Sequence, residues 1–203
     1  FLADNGVEKG IMQLIDMDRA VDLYSHVGPA EEISGGSAAN TIAGAAHLGG
    51  RVAYVGKVKN DQLGQIFAHD LRAQGAVYET KMAPKDHPAE TGRCIVLVTP
   101  DGERSMNTYL GISAELGPDD VSDDVAGAAR ILFLEGYLYD KDKGKQAFER
   151  AARLCRQNGG RAGIALSDPF CVDRRCVECE LDLRPKSLPD HCAWPPLNVS
   201  LRT

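Results

Sequence analysis

Two glycines, a serine and an asparagine carry the clearest chemical signal in this sequence. In Ile33–Gly49, ISGGSAANTIAGAAHLG, the pair Gly35-Gly36 permits positive φ and lets a ligand approach the main chain. Ser37 follows directly, and the amides at the start of the next helix are free to donate into a cleft. Asn40 falls one turn into that helix, where its amide both donates and accepts, as a vicinal diol requires of its partner. The same letters also describe an ordinary helix start with a small-residue packing face and a surface asparagine. Glu135 stands at the carboxyl end of a strand-like run, where ligands of open α/β sheets sit, and reads equally as a rim carboxylate. Arg104 reads as a solvated hairpin charge. Asp168-Pro169 is explained by a helix-blocking turn as readily as by a site. The five histidines are scattered, none spaced for metal or base work, and His47 reads as a packing or surface residue.

The elements that must hold these groups follow from periodicity. Gly36–Gly49 predicts a helix with Ala38, Ile42, Ala45 and Gly49 on one face, ended by Gly49. Val52–Val55 predicts a short buried strand. Asp61–Gln74 is the clearest helix, with Asp61 as N-cap and Leu63, Ile66, Phe67 and Leu71 on one face. Three strand-like segments come next, Val77–Lys81, Arg93–Thr99 and Glu103–Leu110, and Asp101-Gly102 is a hairpin signal between the last two. Alternation then resumes: a strand over Ala129–Leu134, a helix over Lys143–Gln157 and a strand over Gly163–Leu166. Parallel α/β with an antiparallel excursion is the architecture this implies.

Composition narrows the function classes. Hydrophobic residues at 43% and charged residues at 26% are those of a globular domain. A formal charge of −6 without any Lys/Arg cluster argues against a nucleic-acid surface. No run of about 18 apolar residues is present to span a membrane. Phe1–Gly10 lacks a basic and an apolar region, and reads as the middle of a sequence rather than a targeting segment. Cys94 and Cys155 sit inside apolar patterns as reduced core thiols do, which points to a reducing cytosol.

The wider spacing resembles a known signature. Gly35-Gly36, Asn40, Leu48-Gly49, Val55-Gly56 and Asp61–Gly64 resemble the N-terminal pattern of the PfkB family of ribokinase-like sugar and nucleoside kinases. The likeness continues through Thr91-Gly92-Arg93-Cys94, Asp101–Met106 and Leu134-Glu135-Gly136-Tyr137, over roughly residues 8–170 and in the family's order. KGIMQLID (Lys9–Asp16), TGRC and LEGYLYD (Leu134–Asp140) look most like the adenosine kinase branch. The resemblance implies an α/β ribokinase-like sandwich with a small antiparallel β lid at about 77–110, within a partial domain over 11–174. It implies ATP and Mg²⁺ as cofactors of the complete kinase and a small-molecule nucleoside or sugar as partner, adenosine favoured. Carried over residue by residue, it places Gly35, Gly36, Ser37 and Asn40 at the sugar, Gln13 near the nucleoside, and Cys94, Met106, Thr108 and Leu110 on the lid. Glu135 and Tyr137 stand beside the substrate. Packing alone explains Cys94, Met106 and Leu110 as well. Lid strands of this family pair between subunits in some members, so a homodimer through the lid stays open.

There are departures from the family pattern. Lys59 stands where the family has glycine, so an altered turn is expected there. The first strand with its substrate-binding Asp, the Asn-x-x-Glu motif and the Asp-Thr-x-Gly-Ala-Gly-Asp segment are not found in the sequence. The last of these supplies the anion-hole amides and the base, so this chain is expected to be an inactive fragment with no catalytic residue of its own. All 21 glycines precede residue 170, whereas four of six cysteines, four of ten prolines and the one tryptophan follow it. A foreign tail over 175–203, arising from a lost reading frame near Arg174–Cys176 and unstructured, is the expectation. Cys171, Cys176, Cys179 and Cys192 offer four thiolates for zinc as a competing account. A non-catalytic sugar- or nucleotide-binding module and a zinc-stapled interaction domain are the alternatives in function.

Overall fold

A computed structural model describes residues 1–165. Two β–α–β units run along the chain, and a small sheet is set between them. In the first unit, the segments around 52–60 and 77–83 run parallel, and their strand pairing is confined to isolated bridges, Ala53 with Val77 and Lys59 with Ala83. The expected strands Val52–Val55 and Val77–Lys81 are therefore reduced to these bridges and a few ladder bonds, such as Tyr54 N–H to Val77 O at 2.9 Å. Helix α2 (Ser37–His47) and helix α3 (Gln62–Ala73) cover them. Ala39, Val58, Ala68, Leu71 and Tyr78 form the core here, with Tyr54, Phe67 and Met82 packed against it. The Tyr54, Phe67 and Tyr78 rings meet at 5.7 to 5.9 Å between centroids. Ile66, expected on the buried face of α3, is 43% exposed, because the helix turns Gly64, Ala68 and Leu71 inward.

The second unit is a regular crossover. Strand β4 (Ile131–Glu135) pairs in parallel with β5 (Arg161–Ala165), from Ile131 opposite Arg161 to Glu135 opposite Ala165. Helix α5 (Asp142–Gln157) connects them and buries Gly144, Ala147, Phe148, Ala151, Ala152 and Cys155, a 3.6-residue stripe. Against it pack the short helix α4 (Asp123–Ala128) and two clusters, one around Val121, Ala126, Ala147 and Ala151, the other around Leu134, Tyr139 and Phe148. Cys155 is fully buried, its thiol 3.3 Å from Ala129 O.

The lid differs from the one expected. Strands β2 (Arg93–Val98) and β3 (Arg104–Tyr109) form the hairpin, turned at Gly102 with φ 84°. The third strand is not 77–81 but β1 (Met12–Leu14), which runs parallel to β3 and gives the order β1-β3-β2. Helix α1 (Met17–His26), capped by Asp16, follows β1 and packs against β3. Strand β1 is too short to carry a period of its own, whereas α1 is amphipathic and buries Ala20 and Leu23. Register sorts the lid side chains: Met12 faces Met106, Leu14 and Cys94 both face Thr108, and Val96 faces Met106. These share one face. Gln13, Ile95, Ser105 and Asn107 lie on the other, where Ser105 and Asn107 are buried. Asn107 accepts from Gln13 Nε2 at 2.5 Å and donates to Ile95 O at 3.2 Å, which satisfies a buried amide and fixes the register of three strands. Cys94 is exposed rather than a core thiol, since the β2 alternation turns it outward. Among the described residues no helix is long and apolar enough to cross a membrane.

Candidate functional site

The mouth of α2 forms one wall of a cleft. Gly36 is the N-cap, with φ 115° and ψ 148° and no side-chain cap, a backbone geometry that L side chains rarely adopt. With no capping side chain, the first amides of α2 keep their donor capacity. Ser37, the first helical residue, donates from its hydroxyl to Glu135 Oε1 at 2.6 Å. That bond joins the start of α2 to the carboxyl end of β4, across 98 residues of sequence. Asn40 is exposed one turn further along. Gly35 lies beside it, where an added Cβ would sit 3.8 Å from Asn40 Oδ1.

One cleft of about 2620 Å³ takes in Gly35, Gly36, Ser37, Asn40, Cys94, Met106, Thr108, Leu110, Glu135 and Tyr137. Pockets that enclose a small ligand run to roughly 300–1,000 Å³, so this is an open trough between α2, the lid and the β4 layer. Its apolar floor stays open: Ile131 is 75% and Phe133 56% exposed. From the lid side, Thr108 Oγ1 donates to Cys94 Sγ at 3.2 Å. Gln13 is the one residue that the fold does not bring to the trough. It lies on the opposite lid face, bonded to Asn107, and the strand positions that share the face of Met106 and Thr108 are its neighbours Met12 and Leu14. The parallel pairing of β1 decides this, and no local period in the sequence announces that pairing.

Five residues near the trough make contacts that sequence alone had not given them. Tyr54 lines it, its ring folded over Gly56, where a Cβ would come within 2.5 Å. Burial, and then the charge of Glu135, push the Tyr54 phenol up to about 12. Tyr78 donates to Gly56 O at 2.9 Å, so the Val55-Gly56 pair is held from both sides by aromatic rings. Asp61 and Thr91 meet at the foot of the lid. Asp61 accepts from Gly64 N–H at 2.8 Å, from Thr91 Oγ1 at 2.7 Å and from Thr91 N–H at 3.0 Å. Lys59 is buried, and its N–H donates to Thr91 Oγ1 at 3.0 Å. The turn around Lys59 is thus built into the body, and its carbonyl abuts Gly64.

Burial alone would push the Asp61 carboxyl up, but the bonds from Thr91 and Gly64 and the Lys59 charge more than reverse this and hold it below 3.8. A carboxyl depressed in the folded state adds stability above its unfolded value, and that stability is lost as pH falls through the folded value. Wild type is therefore expected to show a component of acid unfolding below pH 3.8 that Asp61→Asn lacks, read by circular dichroism against pH. Superimposable acid limbs would refute it.

Among the described residues no group of three or more His, Cys, Asp or Glu side chains is placed to hold a metal ion, and residues 1–203 contain no Gly-Ala-Gly-Asp. The cysteines of the zinc reading, Asp168-Pro169 and the whole 175–203 tail lie outside the described residues.

Parallel β–α–β units with a glycine-capped helix mouth beneath a small lid sheet make this a ribokinase-like α/β fold. The model of the "pfkB family carbohydrate kinase" matches residues 10–176, and the chain belongs to that family. The crystal structure of adenosine kinase from Sinorhizobium meliloti is 55% identical, with a TM-score of 0.80 over 86% of this chain and 53% of its own. That of a probable sugar kinase protein from Rhizobium etli CFN 42 is 53% identical, with a TM-score of 0.79 over 86% and 52%. Probable fructokinase-4 of Arabidopsis thaliana is 30% identical over 127 residues, which are 62% of this chain and 38% of that protein. The chain thus spans about half the length of the solved relatives and less of the curated one.

Proposed function

We propose that this chain forms the substrate side of an ATP-dependent kinase that phosphorylates the primary hydroxyl of a ribosyl nucleoside, with adenosine favoured over a free sugar. The observation that carries the reading is the Ser37–Glu135 bond at 2.6 Å, which sets a hydroxyl, a carboxylate and the Asn40 amide along one wall of the trough. A ribose diol needs both a donor and an acceptor there. The apolar lid face of Met12, Leu14, Cys94, Val96 and Met106 then meets a flat base better than it meets water. The 55% identity to the Sinorhizobium adenosine kinase supports adenosine over fructose.

Gly35, Gly36, Ser37, Asn40, Glu135 and Tyr137 hold the ribosyl group, and Cys94, Met106, Thr108 and Leu110 cover it. Gln13 acts indirectly, by fixing β1 in register. ATP supplies the phosphoryl group to the complete enzyme, and Mg²⁺ neutralises its charge. This chain's residues orient the acceptor hydroxyl. The carboxylate base that takes its proton lies outside residues 1–203. In this reading 11–174 is the binding unit, 175–203 carries no selected function, a dimer forms through lid strand β2, and the kinase works in the cytoplasm.

Calorimetric titration of residues 1–203 with adenosine, ribose and fructose, paired with an assay for AMP from adenosine and Mg²⁺–ATP, tests this. Adenosine should bind in preference to both sugars, and no AMP should form. Preferential binding of fructose would overturn the nucleoside reading. AMP formation above the no-protein rate would overturn the placing of the base outside the chain.

A further inference from the structure

A helix N-cap needs one acceptor oxygen, and Asp61 offers more than that. Its bond from Gly64 N–H closes the first turn of α3, a task that serine or threonine performs equally well. The rest of the carboxylate is turned away from the helix, toward Thr91. Thr91 is buried, with its N–H on Oδ2 and its hydroxyl on Oδ1 of Asp61. The same hydroxyl accepts from the Lys59 N–H. Three hydrogen bonds from the 59–61 turn thus grip one residue, and that residue is the last before Gly92 and strand β2.

The two stalks of the lid also touch each other at this point. A Cβ at Gly92 would come within 2.6 Å of Leu110 O, and one at Gly111 within 2.2 Å of Glu90 O. Ile112 N–H donates to Glu90 O at 2.9 Å. The incoming and outgoing stalks are therefore stapled together, and Thr91 fastens the staple to the body. Lys59 adds a charge to the grip, its Nζ 3.9 Å from Glu90 Oε1. This residue, at the position where the family pattern has glycine, serves the foot of the lid.

We propose that Asp61, acting through Thr91, is the positioning residue that sets the angle of the lid over the trough. Leverage makes the position matter. Met106 lies four residues up β3 from Leu110, roughly 13 Å from the pivot at a strand rise of about 3.3 Å per residue. A tilt of about 10° at the foot then moves it by about 2 Å, and a misplacement of about 1 Å at a substrate can cost up to about a hundredfold. The inference rests on the nucleoside reading for its ligand, but its structural half does not.

Thr91→Val keeps the side-chain shape and leaves the Gly64 cap untouched, while Asp61→Ser keeps a capping oxygen on a side chain too short for the second grip. In both variants of residues 1–203, free of ligand, the amides of 94–109 should exchange about tenfold faster, as fits the loss of a hydrogen bond to a charged acceptor. The amides of 65–72 in α3 should keep their wild-type protection. Adenosine affinity should fall by about tenfold in each, and the double variant should fall further but by less than the two losses combined, since the variants share the Thr91 Oγ1–Asp61 bond while Thr91→Val alone loses the acceptor for Lys59 N–H and Asp61→Ser alone loses the acceptor for Thr91 N–H. Wild-type lid exchange in Thr91→Val overturns the proposal, as does an equal loss of protection in α3, which would make the pair merely structural. If wild type binds no adenosine while lid exchange rises in Thr91→Val, the grip stands and the nucleoside reading falls. If wild type binds adenosine and Thr91→Val alters neither exchange nor affinity, the grip falls and the nucleoside reading stands.

Discussion

Gly64→Ala should destabilise the chain by about 3 kcal/mol, the upper part of the range for forcing a methyl into a packed interior. A Cβ at this position would stand 1.9 Å from Lys59 O and 3.0 Å from Thr91 Oγ1. Neither neighbour can yield cheaply. The Lys59 backbone is bridged to Ala83 and bonded to Thr91, and Thr91 is held by Asp61. The opposing effect is helix propensity, which favours alanine over glycine by about 1 kcal/mol in a helix interior. The overlap wins because it falls on main chain rather than on a flexible side-chain tip. Gly44→Ala in α2 is the internal control, since a Cβ there meets nothing within 4 Å. It should be neutral or stabilising by up to about 1 kcal/mol. Urea unfolding of both variants measures the contrast, and equal midpoints would show that the turn at Lys59 gives way freely.

That contrast also explains what the letters alone made visible. Asp61 announced itself as an N-cap because capping is local chemistry, and the structure keeps it there. The hairpin at Asp101-Gly102 and the α5 stripe were legible for the same reason: each is set by residues close in sequence. Strand β1 was not legible, since three residues hold too little pattern, and only their pairing with β3, over ninety residues away, makes them a strand. That pairing sets Gln13 opposite Asn107, a contact that no local pattern in the sequence conveys. The strand expected at Val77–Lys81 had the right composition but sits in a layer where pairing is confined to isolated bridges. Cys94 shows the limit of reading burial from apolar neighbours: along β2 exposure alternates, with Ile95 and Leu97 half-buried and Cys94 exposed on the side of the trough. The two sides of the trough, Gly35 to Asn40 and Glu135, were legible as candidates from residue type. Their meeting through Ser37 was not, since a contact across 98 residues leaves no local trace.

Glu135→Gln separates the charge at this meeting point from its shape. In wild type the Ser37 hydroxyl donates to Oε1 at 2.6 Å, which leaves the rest of an acceptor-only carboxylate to a ligand hydroxyl. Glutamine keeps the length but replaces one acceptor with a donor, so either Ser37 or the ligand loses its partner. A hydrogen bond to a charged group contributes about 1.5–3 kcal/mol, so adenosine affinity for residues 1–203 should fall by roughly ten- to a hundredfold. A second readout needs no ligand. The Glu135 charge helps to raise the Tyr54 phenol from 10.0 to about 12, after burial as the larger cause. In Glu135→Gln, Tyr54 should therefore ionise at lower pH, though still above 10.0 because burial persists. A phenol raised in the folded state contributes stability that is present below its unfolded value and lost as pH climbs through the folded one. Alkaline unfolding in the window between 10.0 and about 12 should differ accordingly between variant and wild type, with the phenolate absorbance of Tyr54 followed against a Tyr54→Phe control. A Tyr54 titration that does not move would put Glu135 out of electrostatic reach of the trough wall. A titration that moves with adenosine affinity unchanged would leave Glu135 in place at the end of β4 but remove it from the sugar's partners.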